Sequence, residues 1–221
     1  TRPVNGMVST SHSLGILGRE LQLSTLALHD LAVLAIQPVS FTVQAAECVC
    51  LTGPSGVGKS MLLRAIADLI PHDGDASLDE HNCSQMKPSQ WRKQVGYLPA
   101  ESHWWSDRVG DHYIDSDPEM FRRLGFEPQV LDWQVSRLST GEKQRLALLR
   151  LLANQPRALL LDEPTASLDA ANVGNAEALI QDYRQQQQAP VLWVSHDPAQ
   201  IQRVADRVLR FEADALQEVA P

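Results

Sequence analysis

At 221 residues, with a formal net charge of −8 and a sequence pI near 5.3, the chain has the length of one globular domain with a small insertion, able to bury roughly 70% of its unfolded surface. The acidic balance offers no basic stripe for a phosphate backbone and disfavours nucleic acid as a partner. Three cysteines cannot build a disulfide framework, and no window reaches the ~18 uninterrupted apolar residues of a membrane span, because Arg150, Asn154 and Asp162 break the richest region.

Residues 1–18 show no periodicity and no initial Met. They are expected to be a disordered arm, a processed end or a tag remnant, with Met7 a candidate original start. "ELQLSTLAL" (20–28) and "VSFTV" (39–43) alternate as strands do, and "CVCLTG" runs as a strand into a glycine-rich loop. Cys48 and Cys50 share one side of that strand, a spacing that fits core packing better than a metal pair. "KSMLLRAIADLI" (59–70) places Met61, Leu62, Ala65, Ile66, Leu69 and Ile70 on one helical face, with Pro71 as the expected stop.

Short strands are expected at "DASLD" and "QVGYLP". The texture then turns mixed and polar between 101 and 137, with helical pieces over 118–124 and 128–133. A long helix is predicted over 139–154, where Ser139 and Thr140 are N-cap types and Glu142 supports the first turn. "RALLLDEP" reads as a buried strand, 171–187 as a helix and "PVLWVSHD" as a strand, before a closing helix and strand to Phe211. Strands alternating with helices predict an α/β core around a parallel sheet.

Two segments are suited to anions. In "GPSGVGKS", Gly53, Gly58, Lys59 and Ser60 complete G-x-x-x-x-G-K-[ST]. In the loop that follows Pro54, the backbone N–H groups of Ser55, Gly56 and Val57, with those of the helical turn reaching Met61, would surround phosphate oxygens. Lys59 would reach the β and γ phosphates, and the Ser60 hydroxyl would take a place on Mg²⁺. Asp162 ends the apolar run "LLLD" and so emerges at the carboxyl edge of the sheet, where a metal-binding carboxylate is needed. Glu163 follows, placed to take a proton from an attacking water. His196 stands at another strand end, able to contact a γ-phosphate and orient water. The second segment, "LSTGEKQR" (138–145), opens the long helix.

The ordered set "GPSGVGKS", "LSTGEKQR", "LLLDEP", "SLD" and "VSHD" resembles the ATP-binding cassette (ABC) family of transporter ATPases, over nearly everything from Leu21 to Phe211. The resemblance implies a RecA-like P-loop NTPase core with a mainly parallel sheet, N-terminal antiparallel strands and a compact helical subdomain. The expected divisions are one domain over 19–216, with 19–100 and 156–216 as α/β core and 101–155 as the helical part. It also implies ATP and Mg²⁺ as ligands. In the family two cassettes pair head to tail, and the L-S-G-G-Q signature, here Leu138 to Glu142, closes over the ATP held by the other chain. Ser139, Gly141 and Glu142 are therefore expected to touch the partner's nucleotide, and Asp169 to lie in the loop through which the two sites communicate. One set of motifs per chain implies a homodimer or pairing with another cassette. The expected role is the cytoplasmic nucleotide-binding subunit of a bacterial ABC transporter, held at the cell membrane by a separate permease and most like small cassettes of iron or metal export.

Several positions depart from the family. Ala100 stands where a glutamine ligand to Mg²⁺ is usual, and Glu101, one residue later, is the candidate substitute. Thr140 replaces a signature glycine. No aromatic for adenine stacking follows the first strand, where only His29 is available. "PAESHWW" (99–105) lies where a permease coupling helix docks, and at least one of Trp104 and Trp105 is expected to be exposed. Two other readings stay open. A soluble cassette acting on DNA or ribosomes would normally carry a long coiled coil or a second cassette. A regulatory cassette switching without turnover would not need both Glu163 and His196.

Overall fold

The structure, a computed structural model, describes residues 23–33, 36–114, 117–212 and 215–220. The arm over 1–18 and the start of the first expected strand lie outside them. No helix among the described residues is long and apolar enough to cross a membrane.

The amino-terminal sheet is antiparallel. It is built from β1 (Leu26–Val33), β2 (Ile36–Val43), β4 (Asp73–Leu78) and the short β5 (His81–Asn82), in the order β2-β1-β4-β5. Alternation predicts β1 only as far as Leu28, but the strand continues. Asp30 takes a positive φ of 47°, and the register shifts between Leu28 and Leu31. The extra residue restores Leu31 and Val33 to the buried face that Leu26 and Leu28 already occupy. Gly74 accepts the bulge because a Cβ there would lie 2.2 Å from the Asp30 carbonyl oxygen.

In the second sheet, strands β3 (Cys48–Thr52), β6 (Val95–Leu98), β7 (Ala158–Asp162), β8 (Val191–Val194) and β9 (Arg207–Glu212) are parallel, and β10 (Ala215–Val219) joins β9 antiparallel. Their order is β10-β9-β3-β8-β7-β6. The central strands are covered on both faces, which is why they read as unbroken apolar runs. Alternation divides them between two cores. Val49, Leu51 and Leu160 pack toward the antiparallel sheet and α1 (Lys59–Ile66). Cys48, Cys50, Leu161 and Trp193 pack toward α3 (Pro118–Arg123), α4 (Thr140–Ala153) and α5 (Ala170–Gln187). Cys48, Cys50 and Cys83 are free and buried, and for Cys48 and Cys50 this is the core packing that their spacing favours.

α1 stops at Ile66, before Pro71. The Ile66 carbonyl accepts from the Trp91 indole at 2.7 Å, Asp68 turns left-handed with φ 54°, and the Leu69 N–H closes back on the Arg64 carbonyl. Trp91 belongs to α2 (Pro88–Gln94), a short helix that periodicity does not single out. α6 (Pro198–Val204) completes the set of α-helices.

Candidate active site

Three parallel strands bring their carboxyl ends level. Leu51 pairs with Val194, and Val194 pairs with Asp162, so the loop after β3, the residues after β8 and the end of β7 open onto one edge of the sheet, the usual ligand side of such folds. Gly53, Gly56 and Gly58 all have positive φ, at 138°, 79° and 104°. A Cβ on Gly58 would lie 2.7 Å from the Ile36 side chain, so this turn needs glycine for both conformation and space. Pro54, Ser55 and Gly56 are exposed, and the first turn of α1, including Lys59, Ser60 and Met61, directs N–H groups at this loop.

Lys59 is 5% exposed. Its ammonium donates to the carbonyls of Gly53 at 2.9 Å and Pro54 at 2.8 Å, folding back across its own loop. Burial lowers its pKa, opposed by the charges of Glu163 and Asp162. Asp162 is buried, and each of its carboxylate oxygens has a donor: the Ser60 hydroxyl at 3.0 Å and the Tyr97 phenol at 3.2 Å. Ser60 and Asp162 therefore meet, as their sequence motifs require. A hydroxyl and a carboxylate side by side form an oxygen-only pair, the chemistry that suits a hard cation such as Mg²⁺.

Glu163 sits just past β7 with a positive φ of 47° and is tied by its N–H to the Val194 carbonyl. Its carboxylate lies 3.2 Å from His196 Nε2, close enough for the two side chains to act on one another. Lys59, Ser60, Asp162, Glu163 and His196 thus share one edge of the sheet.

The signature segment lies elsewhere on the chain. Ser139 caps α4 and, with Glu142, forms a reciprocal box: the Ser139 N–H and hydroxyl each donate to the Glu142 carboxylate at 2.8 Å, and the Glu142 N–H donates to the Ser139 hydroxyl at 3.3 Å. Those bonds hold the Glu142 pKa below its usual range. A Cβ on Gly141 would meet the Ser167 carbonyl at 2.9 Å, so the signature packs against the turn leading to Asp169, which caps α5. No hydrogen bond joins Ser139, Gly141 or Glu142 to residues 53–60 among the described residues.

Glu101 is exposed, and its carboxylate makes no hydrogen bond or ion pair among the described residues; Ala100 beside it is exposed as well. His29 is held in the antiparallel sheet by Ser77, 3.1 Å away. Sequence reasoning missed Tyr97, which partners Asp162, because that contact depends on the β6–β7 register. It also missed Gln200, a buried residue of α6, though a glutamine among apolar helix positions is itself a signal.

The profile of the ABC transporter family matches residues 36–166. The chain is 36% identical over 190 residues to the "Probable iron export ATP-binding protein FetA" of Escherichia coli (strain K12), a match covering 80% of this chain and 84% of that protein. It is 34% identical to "Protein STAR1" of Oryza sativa subsp. japonica, covering 84% of this chain and 58% of that one. The "Phosphate import ATP-binding protein PstB" of Aeropyrum pernix is 28% identical over 84% of each chain. Among solved structures, a bacterial Atm1-family ABC exporter with ATP bound superposes with a TM-score of 0.77 at 21% identity over 90% of this chain; this chain spans 39% of the exporter's length, and the likeness is one of fold. With the phosphate loop, the carboxylate pair and the signature helix in place on this fold, the chain belongs to the ABC transporter family, as an ATP-binding ATPase subunit.

Proposed function

We propose that the chain binds and hydrolyses Mg-ATP at the interface of a head-to-tail dimer and thereby drives a separate membrane permease. The observation that carries this reading is the shared edge where Lys59, Ser60, Asp162, Glu163 and His196 meet, while the capped signature helix presents Ser139 on a separate exposed surface.

The Lys59 ammonium exchanges its two carbonyls for β and γ phosphate oxygens, and the N–H groups from Ser55 to Met61 hold the remaining oxygens. Ser60 and Asp162 are the residues that would hold Mg²⁺, which supplies charge neutralisation on the phosphates when bound. Glu163 accepts a proton from the attacking water as the bond to the γ-phosphorus forms and the bond to the bridging oxygen breaks. His196 orients the Glu163 carboxylate and faces the γ-phosphate. Ser139 and Gly141 of the second chain close over the same phosphate, with Glu142 fixing the serine and Asp169 lying beside the joint. Glu101 makes no bond to Ser60 or Asp162, so Tyr97 is the better-supported partner of the metal carboxylate.

The permease docks in a groove of about 900 Å³ lined by Leu69, Trp105, Ile114, Arg92 and Arg150. FetA carries iron export in its name, and metal export is the cargo class that we propose for this chain.

Glu163→Gln tests the reading. The amide keeps the shape and removes the base, so hydrolysis should fall by roughly 10²–10⁴-fold, and Mg-ATP should trap a dimer on a sizing column. A variant that stays monomeric in saturating Mg-ATP would refute the head-to-tail arrangement.

A further inference from the structure

Gln200 is 4% exposed, and its side chain bridges the two loops that carry Glu163 and His196. Its Nε2 donates to the Thr165 hydroxyl at 2.7 Å and to the Glu177 carboxylate at 2.9 Å. Its Oε1 accepts from the Ser195 hydroxyl at 2.8 Å. Thr165 lies two residues after Glu163, and Ser195 immediately precedes His196. Thr165 and Ser195 are themselves buried, at 6% and 3% exposure.

The orientation of this amide is set by charge. Arg203 binds Glu177 through two nitrogens, at 3.0 and 2.8 Å. Burial works against the Glu177 carboxylate, but the hydrogen bonds from Arg203 and Gln200 outweigh it and hold its pKa below the usual range. An ionised carboxylate only accepts, so the amide must turn its NH₂ toward Glu177 and its oxygen toward Ser195. The Ser195 proton is then committed to Gln200, and the serine oxygen is left to accept the Asp197 N–H at 3.2 Å. Each loop is thereby fixed relative to the other and to α5, whose first residue follows the Asp169 cap. Buried donors and acceptors joined in this way have few alternative arrangements.

We infer that Gln200 is a positioning residue that holds Glu163 and His196 at their 3.2 Å separation by tying together the loops that carry them. The inference rests on the reading of Glu163 as the base. The Gln200 side chain is buried and bonds Thr165, Glu177 and Ser195, none of them in the phosphate loop, so its loss should act on turnover and leave that loop intact.

The test uses purified full-length protein and measures kcat and KM for ATP beside the thermal midpoint. Gln200→Met removes all three hydrogen bonds at similar volume, and kcat should fall about tenfold or more with KM within about twofold. Gln200→Glu should also be slow, because it sets a carboxylate against Glu177. Adding Glu177→Gln restores a donor opposite an acceptor, with the Thr165 and Ser195 hydroxyls free to donate to the introduced carboxylate, and should recover most of the lost kcat. If Gln200→Met does not fold, Thr165→Val carries the same comparison, since it deletes only the contact on the Glu163 side.

A wild-type kcat in Gln200→Met or Thr165→Val overturns the inference. So does a parallel loss of kcat and KM that the Gln200→Glu/Glu177→Gln pair fails to reverse, which is the signature of a merely structural contact. Glu163→Gln is measured alongside. Full turnover there overturns the site reading and this inference together, whereas an inactive Glu163→Gln beside a fully active Gln200→Met overturns the inference alone.

Discussion

Asp162 has no free carboxylate oxygen within the chain, since Ser60 and Tyr97 donate to one each. Such a carboxylate has its rotamer fixed before any cation arrives, and outer partners of this kind are typically worth ~10–100-fold in metal affinity. Burial pushes the Tyr97 pKa up, so the phenol remains a donor well beyond neutral pH. Tyr97→Phe should therefore raise the Mg²⁺ concentration needed for half-maximal binding of a fluorescent ATP analogue by about tenfold, while Glu101→Ala leaves it unchanged. The reverse pattern would give the metal role to Glu101. The Ser60–Asp162 contact was legible in the sequence because each residue belongs to a motif with fixed spacing. Tyr97 was not, because nothing in "VGYLP" says which residue of β7 it will stand beside; that follows from the pairing of Tyr97 with Leu160. Glu101 is a candidate on sequence proximity to Ala100 alone, and the exposed position of its side chain after β6 leaves the metal comparison with Tyr97 to decide between them.

α4 carries two duties on one residue. Ser139 caps the helix, and in the proposed dimer it also meets the other chain's γ-phosphate. The duties separate by substitution. Ser139→Ala should lose about 1 kcal/mol of stability together with ATP-dependent dimerisation. Ser139→Asn keeps an N-cap acceptor of equal rank and should keep the thermal midpoint, yet its bulk should still prevent closure. If Ser139→Asn dimerises as the wild type does, the hydroxyl has no role across the interface. Acid should loosen the same cap. The native pKa of Glu142 lies below its unfolded value, so the box contributes fully above the ordinary glutamate range of about 4.3. That contribution is lost as pH falls through the lowered native value. The cap of α4 was readable because a capping box is local sequence chemistry. The early end of α1 was not readable, since it depends on Trp91, 25 residues away, taking the Ile66 carbonyl. For the same reason the bulge at Asp30 truncated the predicted first strand: local alternation cannot anticipate the facing Gly74 that lets the strand continue.

At the scale of the whole molecule, exposed apolar surface is concentrated. Four large hydrophobic side chains are exposed among the described residues, and three of them, Leu69, Trp105 and Ile114, line the same groove of about 900 Å³. Clustering of that kind marks a binding surface, where scattered exposure would not. Trp105 is 69% exposed, while Trp104 is half-buried against the core and stands edge-on to His112 at 4.7 Å. Arg150 fixes the pair, lying 4.7 Å from each indole ring and donating to the His103 carbonyl at 3.0 Å. Trp105 is thus held ready before any partner arrives, which lowers the ordering cost of using it as an anchor. Tyr97, which donates to Asp162, is also among the residues lining the groove. Trp105→Ala should leave the ATPase rate and thermal midpoint of the isolated subunit within about 0.5 kcal/mol of wild type, as expected for an exposed side chain. It should abolish stimulation by the reconstituted permease or prevent assembly with it. Trp104→Ala, by contrast, should destabilise the subunit, by less than the roughly 3–5 kcal/mol of a fully buried aromatic because Trp104 is only half-buried. A Trp105→Ala subunit that assembles with the permease and is stimulated normally would place the docking surface elsewhere on the molecule.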